Sequence, residues 1–409
     1  MRIARPHLVT LLLGACSFIL AFSLLLFPED SFKASLRGLT IWWDVVFPAL
    51  LPFFIASEIL LGFGLAHFMG VLLEPLMRPV FNLPGTGSFV LTMGFASGYP
   101  VSAKLTTRLR EQKLISRVEG ERLVSFTTTS DPVFITGAVA VGFFHSVKTG
   151  IILLVVHYLS ALLIGAIMSF YRRGDEKTPS LNPSDKPILY RALQSMHRAR
   201  MRDGRPIGML MGDAVNGAIQ TQLLVGGFML FFSVVLTVLM KLNFITLISV
   251  PLGNLLHMLG YPLHSAKAFI YGFFEVTLGA KQASTLFSSD LSLFIMAVAS
   301  AILAWGGISV HAQVASILAE TDIRYLPFLF ARCCHAVLAF ILTFPIGSAL
   351  YGHLQDNAMT VWLDSLELSS FSSGTVVPYT GISSVLCIGI IIIMALFLGI
   401  CKVYARKSR

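Results

Sequence analysis

The sequence predicts an all-α polytopic membrane protein, with about eight transmembrane helices and two re-entrant hairpins that form an inverted repeat. Hydrophobic residues make up 55% of the 409 residues and charged residues only 12%, roughly half the charged share of a soluble domain. Two apolar regions, 94–104 and 272–281, are interrupted by glycine and polar residues, and each precedes a second interrupted apolar segment. Irregular backbone of this kind is tolerated at membrane depth only inside protein or beside a wet cavity.

Eight apolar stretches are long enough to cross a bilayer as helices. They are 8–27, 40–66, 123–145, 149–171, 219–240, 290–314, 326–349 and 381–401. The first stretch is too long for the core of a signal peptide, so we interpret it as an uncleaved helix. An even number of spans places both termini on one side. Basic residues near both ends, and in 104–122 and 172–205, predict that this side is cytoplasmic.

These features divide the chain into five regions. They are an N-terminal transmembrane helix (1–38), a first repeat (39–173), a basic cytoplasmic linker (174–206), a second inverted repeat (207–349), and an extracytoplasmic loop with the last transmembrane helix and basic tail (350–409). We interpret the linker as a loop that sets orientation. The net charge of +9 does not indicate nucleic-acid binding, because the basic residues flank the predicted spans.

The two halves align with an offset of about 178 positions. Pro84 corresponds to Pro262, and Gly94-Phe95 corresponds to Gly272-Phe273. The order of apolar segments is the same in both halves. The predicted topology makes 84–112 enter from the cytoplasm and 262–286 enter from outside, and sites of such repeats lie near the bilayer midplane.

Polar residues mark the interruptions. Pro132 follows Ser130 and Asp131, which could cap a helix that resumes there. Asp131 and Glu275 are ionisable groups in apolar sequence, and such groups are functional candidates by default. They could bind a coupling cation, carry a proton, or pair with Lys104 and Lys281.

Two further features leave alternatives open. Gly306-Gly307 would let a helix unwind or would serve close packing alone. A lone histidine such as His311 is more often an interior group with satisfied hydrogen bonds than a ligand. The five cysteines have no metal-binding or redox spacing, and no phosphate-binding loop or catalytic triad is recognisable.

The stretches 94–100, 130–138 and 272–275 resemble the YlbJ-type family of sporulation integral membrane proteins, over nearly the whole chain. That family has the "nucleoside recognition" Gate domain, which is related to concentrative nucleoside transporters. The resemblance implies two hairpin tips and two unwound helices around a substrate. It also implies the outer forespore membrane of a sporulating bacterium, a need in spore maturation and cortex formation, and a small anionic cargo such as dipicolinate.

By this analogy, thirteen residues are candidates for contact with the substrate. They are Ser97, Gly98, Tyr99 and Ser102 at the first tip, Thr128, Thr129, Ser130 and Asp131 in the first unwound helix, Glu275 and Thr277 at the second tip, and Gly306, Gly307 and Ser309 in the second unwound helix. The tips lack an evident set of polar residues for recognising a nucleoside, so a nucleoside cargo is not expected.

The sequence therefore favours a secondary transporter of a small polar or anionic solute. A non-transporting membrane scaffold for cortex assembly, acting through the basic linker, is the main alternative. An intramembrane enzyme is a third hypothesis without an identifiable nucleophile, so no enzymatic activity is expected. The expected partners are the solute and the bilayer, without nucleic acid. No cofactor is expected apart from a coupling H⁺ or Na⁺, and a homo-oligomer is left open.

Overall fold

The computed structural model describes residues 5–175, 177–179, 187–287 and 292–356. Within these ranges the chain is helical and contains no strand. The predicted last span, 381–401, lies outside the described residues.

The first half begins and ends with a helix of 22 residues, and the helices between them are shorter. Its helices are α1 (Arg5–Leu26), α2 (Pro28–Ile41), α3 (Phe47–Gly62), α4 (Leu65–Phe81), α5 (Gly87–Ser97), α6 (Tyr99–Glu111), α7 (Arg117–Thr127) and α8 (Val147–Met168). Two π-helical stretches, Trp42–Val46 and Phe134–Phe143, precede α3 and α8.

A helix that the sequence reading missed opens the second half. This helix, α9 (Ile188–Asp203), lies in the segment predicted to be a plain loop. The others are α10 (Ile207–Lys241), α11 (Phe244–Met258), α12 (Ser265–Phe274), α13 (Val276–Ser284), α14 (Ser292–Trp305), α15 (Gly307–Leu318) and α16 (Tyr325–Asp356).

Four of the described helical segments are long and apolar enough to cross a membrane. They are Val147–Met168, Ile207–Lys241, Ser292–Leu318 and Tyr325–Leu350. A fifth is obtained if α3 and α4, which meet at an 80° bend, count as one span. The described residues thus provide four or five of the eight predicted spans. The predicted span 123–145 is not a continuous helix, because α7 ends at Thr127 and regular structure resumes beyond Pro132.

Local sequence explains several helix ends. Ser116 and Glu119 form a reciprocal capping box at the start of α7. The Ser146 hydroxyl accepts a hydrogen bond from the Thr149 amide at the start of α8. Gly64 and Asn82, at the two ends of α4, have left-handed backbone conformations.

The interior of the molecule lies between the two halves. The spans α8 and α14–α15 are mostly buried inside the protein, whereas α10 and α16 leave most of their apolar surface exposed. Apolar side chains that face outward suit contact with lipid. The buried spans therefore form the centre, and α10 and α16 lie at the periphery.

The order of elements is the same in both halves. A helical hairpin (α5–α6, then α12–α13) precedes an interrupted helix (α7 to the second π-helix, then α14–α15) and a long helix (α8, then α16). The domain boundaries and the inverted orientation of the repeats stay predictions. The order of elements fits the internal repeat expected from the sequence.

Ion pairs join the halves at one end of the molecule. Arg110 donates two hydrogen bonds to Asp322, of 2.8 and 2.9 Å. Arg324 bonds Glu121 at 2.7 and 3.0 Å. A third pair joins the Lys104 ammonium to Glu320 at 2.9 Å. The residues of the first half belong to α6 and α7, and their partners belong to the segment between α15 and α16, so these pairs connect the first hairpin to the second interrupted helix.

Candidate functional site

Each hairpin reverses direction at a single residue between two helices. Gly98 separates α5 from α6 and has φ +85° and ψ −166°, a combination open in practice only to glycine. Glu275 separates α12 from α13 in an extended conformation, and its carboxylate accepts a hydrogen bond of 2.8 Å from the Leu278 amide. The first tip is therefore a glycine turn without a side chain. At the second tip, the Glu275 carboxylate caps the start of α13.

The two glycines that align in the repeat both lie where the helices of a hairpin meet. A Cβ atom added at Gly94 would lie 2.7 Å from the Cβ of Ser102, across the first hairpin. In the second hairpin, a Cβ atom at Gly279 would lie 2.2 Å from the Gly272 Cα, whereas one at Gly272 would meet the Ile302 side chain of α14 at 2.5 Å. The first hairpin therefore needs a glycine at position 94, and the second needs one at position 279, because the facing helix leaves no room for a side chain.

Two helices are interrupted beside these tips. After α7, residues 128–131 are not helical, and the Asp131 carboxylate then caps the next helical segment by accepting a 2.8 Å hydrogen bond from the Phe134 amide. Between α14 and α15, Gly306 and Gly307 have φ of +86° and +82°. The start of α15 has no side-chain cap. The interruptions expected at Ser130-Asp131-Pro132 and Gly306-Gly307 are thus present.

The tips and the interruptions meet in one place. A Cβ atom at Gly98 would lie 3.2 Å from the Asp131 Cβ, and one at Gly306 would lie 3.3 Å from the Tyr99 ring. A Cβ atom at Gly307 would lie 3.1 Å from the Glu275 amide nitrogen. We call this set (Gly98, Tyr99, Ser130, Asp131, Glu275, Gly306 and Gly307) the central cluster. At each of its glycines an added Cβ atom would be in close contact with a neighbouring segment. Each hairpin tip is therefore packed directly on an interruption.

Tyr99 connects three parts of the central cluster. Its hydroxyl donates a 2.9 Å hydrogen bond to the Leu303 carbonyl on α14, and shares a hydrogen bond with the Ser130 hydroxyl. One turn later, the Ser102 hydroxyl lies 3.1 Å from that of Thr128. The first turn of α6 is therefore bonded to both interrupted helices.

Arg332 was not predicted, although it joins the two interrupted helices. It lies on α16, is 1% exposed, and donates hydrogen bonds to the carbonyls of Thr128 and Ala304. These carbonyls end α7 and α14, where the helix dipoles place partial negative charge. In the described part of the chain, no carboxylate lies within 4.0 Å of its guanidinium. The signal was available, because an arginine inside a predicted span is expected to have a function.

Side chains of α8 complete the surroundings, and the sequence reading missed them too. The Tyr158 hydroxyl lies 2.8 Å from the Ser130 carbonyl oxygen and 3.0 Å from that of Phe95. His157 Nε2 accepts a 3.1 Å hydrogen bond from the Ser130 amide. His335 is bonded both to Arg332 and to the His157 carbonyl. His157 and His335 lie inside predicted spans and so carried the same signal as Arg332, whereas nothing in the local sequence marks Tyr158.

Three buried polar atoms near the central cluster have no hydrogen-bond partner among the described residues. They are Ser97 Oγ beside the first tip, Thr129 Oγ1 in the first interruption, and Nδ1 of His157. A buried polar group without a partner costs about 1–3 kcal/mol. All three belong to residues that are in the central cluster's neighbourhood, because Ser97 and Thr129 adjoin Gly98 and Ser130 in sequence and His157 accepts a hydrogen bond from Ser130.

The structure thus gathers most of the predicted site residues. Thr277 and Ser309 lie in the first turns of α13 and α15, and Ser309 Oγ accepts a 3.5 Å hydrogen bond from Gln313. His311 contacts the Tyr325 hydroxyl at 2.6 Å and the Trp305 carbonyl at 3.2 Å, so it is an interior group with partners.

Of the alternatives left open for the two acids, pairing with Lys104 and Lys281 does not occur among the described residues. Lys104 pairs with Glu320, and Lys281 has no ion pair in the ranges described. Asp131 and Glu275 instead accept hydrogen bonds from amides at helix starts. The first turns of those helices lie next to each carboxylate in sequence, whereas Lys104 and Lys281 lie farther along α6 and α13.

Comparison with known proteins bears on this geometry. The sequence model of the Gate family, described as nucleoside recognition, matches residues 43–171, which contain the first hairpin and the first interruption. The chain is also 45% identical over 365 residues to the sporulation integral membrane protein YlbJ of Bacillus subtilis (strain 168). That alignment covers 88% of this chain and 89% of the relative. The chain belongs to the YlbJ family of sporulation integral membrane proteins. The resemblance inferred from the three sequence stretches is thereby confirmed.

The match to the Gate family covers only half of the central cluster. Glu275, Gly306 and Gly307 lie beyond residue 171, while the alignment with the YlbJ relative extends over both halves of the chain. The structure shows in addition that the two halves meet, because Tyr99 of the first half and Gly306 of the second lie within van der Waals distance.

Proposed function

We propose that this member of the YlbJ family is a transporter that moves a small anionic metabolite, dipicolinate by the family resemblance, across the outer forespore membrane. Both termini would then lie in the cytoplasm of the mother cell. The observation that carries the proposal is the convergence of two hairpin tips and two interrupted helices on one buried cluster. Discontinuous helices that meet between repeats are typical of substrate sites in secondary transporters.

The close packing of the central cluster supports a gated site. A Cβ atom added at Gly98 would lie 3.2 Å from Asp131, and one at Gly307 would lie 3.1 Å from Glu275, so a methyl group fits at neither position unless its neighbour shifts. A solute can therefore reach the buried polar atoms only when a tip withdraws from its interruption. Withdrawal of one tip at a time would expose the site to one side of the membrane, as alternating access requires.

The distribution of charge favours an anion. Arg332 brings a positive charge into the interior without a carboxylate partner within 4.0 Å among the described residues. The Asp131 and Glu275 carboxylates cap the helices that begin there. The starts of α6 and α15 have no side-chain cap. Free amides at a helix start bind oxyanions. Two uncapped starts, in contact through Tyr99 and Gly306, would suit the two carboxylates of dipicolinate.

Asp131 and Glu275 then have a different role from substrate contact. Each carboxylate accepts an amide hydrogen bond at a helix start. Both residues are themselves partly buried at the contact between a tip and an interruption. We propose that one or both bind the coupling cation, H⁺ or Na⁺, and that the contact between tip and interruption depends on their charge. The lipid bilayer is the expected environment, and a homo-oligomer is compatible with the exposed helices.

Uptake of radiolabelled dipicolinate into proteoliposomes tests this function. Asp131→Asn and Glu275→Gln keep an oxygen that can cap the helix, so both variants should fold with little loss of stability. They remove the charge, and we expect uptake to fall to the level of empty liposomes. Normal uptake by both variants would contradict the role of these acids. No uptake by correctly oriented wild-type protein would contradict dipicolinate as the cargo.

A further inference from the structure

Helix α9 lies in the basic segment between the two repeats and uses one face for packing. A Cβ atom at Gly64, in the bend between α3 and α4, would lie 2.8 Å from the Met196 carbonyl and 2.9 Å from the Ala199 Cβ. Ala192 is the buried residue of the same helix. One face of α9 is therefore held against the first repeat at the α3–α4 bend.

The other face of α9 is exposed and mostly apolar, with His197 between Leu193 and Met201. Leu189, Leu193 and Met201 are 54%, 48% and 66% exposed, and they lie four and eight residues apart. This spacing places them on one side of a helix. Arg198 and Arg202 are also exposed on α9, and neither has an ion pair within the described ranges. Exposed large apolar residues with arginines beside them are typical of helices that lie at a membrane surface.

The position of α9 relative to the spans agrees with a place at the membrane surface. Only three residues separate its end at Asp203 from the start of α10, which is a candidate membrane span. The first turns of α10 expose Ile207, Met209 and Met211, so apolar surface begins at once beyond the turn. Helix α9 therefore lies at the edge of the bilayer rather than far from it.

The turn between the two helices is fixed by charge. Arg205 bonds Asp203 at 2.7 Å and Asp213, in α10, at 2.8 Å. The Arg205 hydrogen bond lowers the pKa of the Asp203 carboxyl, so this carboxylate stays charged at neutral pH. The ion pairs of Arg205 with Asp203 and Asp213 therefore fix the orientation of α9 relative to the first turns of α10.

We propose that α9 is an interfacial helix that binds anionic lipid headgroups through Arg198 and Arg202, with Leu189, Leu193 and Met201 inserted into the headgroup–acyl boundary. Charge complementarity carries the choice of partner, because basic residues close to a span attract anionic lipids. A soluble partner would have to cover the same apolar stripe at the bilayer edge, where lipid is already present. Since α9 packs on the α3–α4 bend, its lipid contact would also support the first repeat.

The test uses the full chain, with its five cysteines replaced, in vesicles of phosphatidylcholine with or without phosphatidylglycerol. An environment-sensitive fluorophore is attached at Leu193→Cys, and quenching by lipids brominated near the headgroup is measured. We expect blue-shifted emission and strong quenching that increases with phosphatidylglycerol. The same fluorophore at Gln112→Cys, an exposed position just after α6, should show emission typical of water.

Removal of the arginine charges distinguishes lipid binding from mere proximity. The double variant R198Q/R202Q should need more phosphatidylglycerol for half-maximal quenching, by about fivefold for each arginine. The variant Lys241→Gln loses one exposed charge at the end of α10 that lies farthest from α9 and should leave the titration unchanged. Emission typical of water at position 193 in both vesicle types would overturn the interfacial placement. Quenching that changes neither with the phosphatidylglycerol content nor with replacement of the two arginines would overturn the assignment to anionic lipid.

Discussion

Replacement of Arg332 by methionine should abolish uptake and lower the thermal stability of the protein. The guanidinium donates to the carbonyls of Thr128 and Ala304, which end the first segments of both interrupted helices. Methionine fills a similar volume but leaves both carbonyls without this donor and removes the charge that faces two helix dipoles. We expect a loss of about 2–5 kcal/mol in the free energy of unfolding.

Arg122 provides a matched control for this prediction. It is also buried, at 2% exposed, and it donates to the backbone carbonyls of Asn82, Tyr171 and Arg172, outside the central cluster. Arg122→Met should lose comparable stability yet retain uptake per folded molecule. Lysine at position 332 keeps the charge but lacks the planar fork that reaches two carbonyls, so Arg332→Lys should also fail. Wild-type uptake by Arg332→Met would show that the bridge has no role in transport.

Replacement of Gly98 by alanine should remove transport at a modest cost in stability. Its backbone lies in a region that other residues reach only at a cost of about 1–3 kcal/mol. The added Cβ would also lie 3.2 Å from both the Cβ and the amide nitrogen of Asp131. The first tip could then no longer close on the first interruption, and we expect uptake to fall to background.

Gly260 separates the effect of backbone strain from that of contact. It has φ +84°, close to the value at Gly98, but nothing lies within 4 Å of an added Cβ. Gly260→Ala should therefore lose stability without losing uptake. Equal uptake by the two variants, measured in proteoliposomes and normalised to folded protein, would mean that the contact between Gly98 and Asp131 is not needed.

Features carried by local sequence could be predicted. Glycine and proline interrupt apolar sequence at Gly98, at Pro132 and at Gly306-Gly307, and each interruption occurs in the structure at the expected residues. These positions were identifiable because they depend on backbone conformations that neighbouring residues dictate. The all-helical fold follows from composition in the same way.

Features that depend on distant contacts could not be predicted. Arg332 bonds a carbonyl 204 positions away, and Tyr99 bonds Leu303 across the same separation. Helix α9 falls in a segment predicted to be a loop, because the prolines that flank it and its many polar residues mask an amphipathic pattern. The sequence left the partners of Asp131 and Glu275 open between lysines and other roles, whereas in the structure an amide at a nearby helix start donates to each carboxylate.

Solute protection of a cysteine at Ser97 tests most directly whether the central cluster binds the transported anion. Ser97 Oγ is buried beside the first tip and Ser265 Oγ at the start of α12, away from either tip, and neither has a hydrogen-bond partner in the part of the chain that the structure describes. In a background without native cysteines, Ser97→Cys should react slowly with a permeant maleimide, and dipicolinate should slow the reaction further. Ser265→Cys should show no such protection. If dipicolinate is taken up but leaves the reaction at position 97 unchanged, the substrate binds elsewhere and the central cluster is not the site.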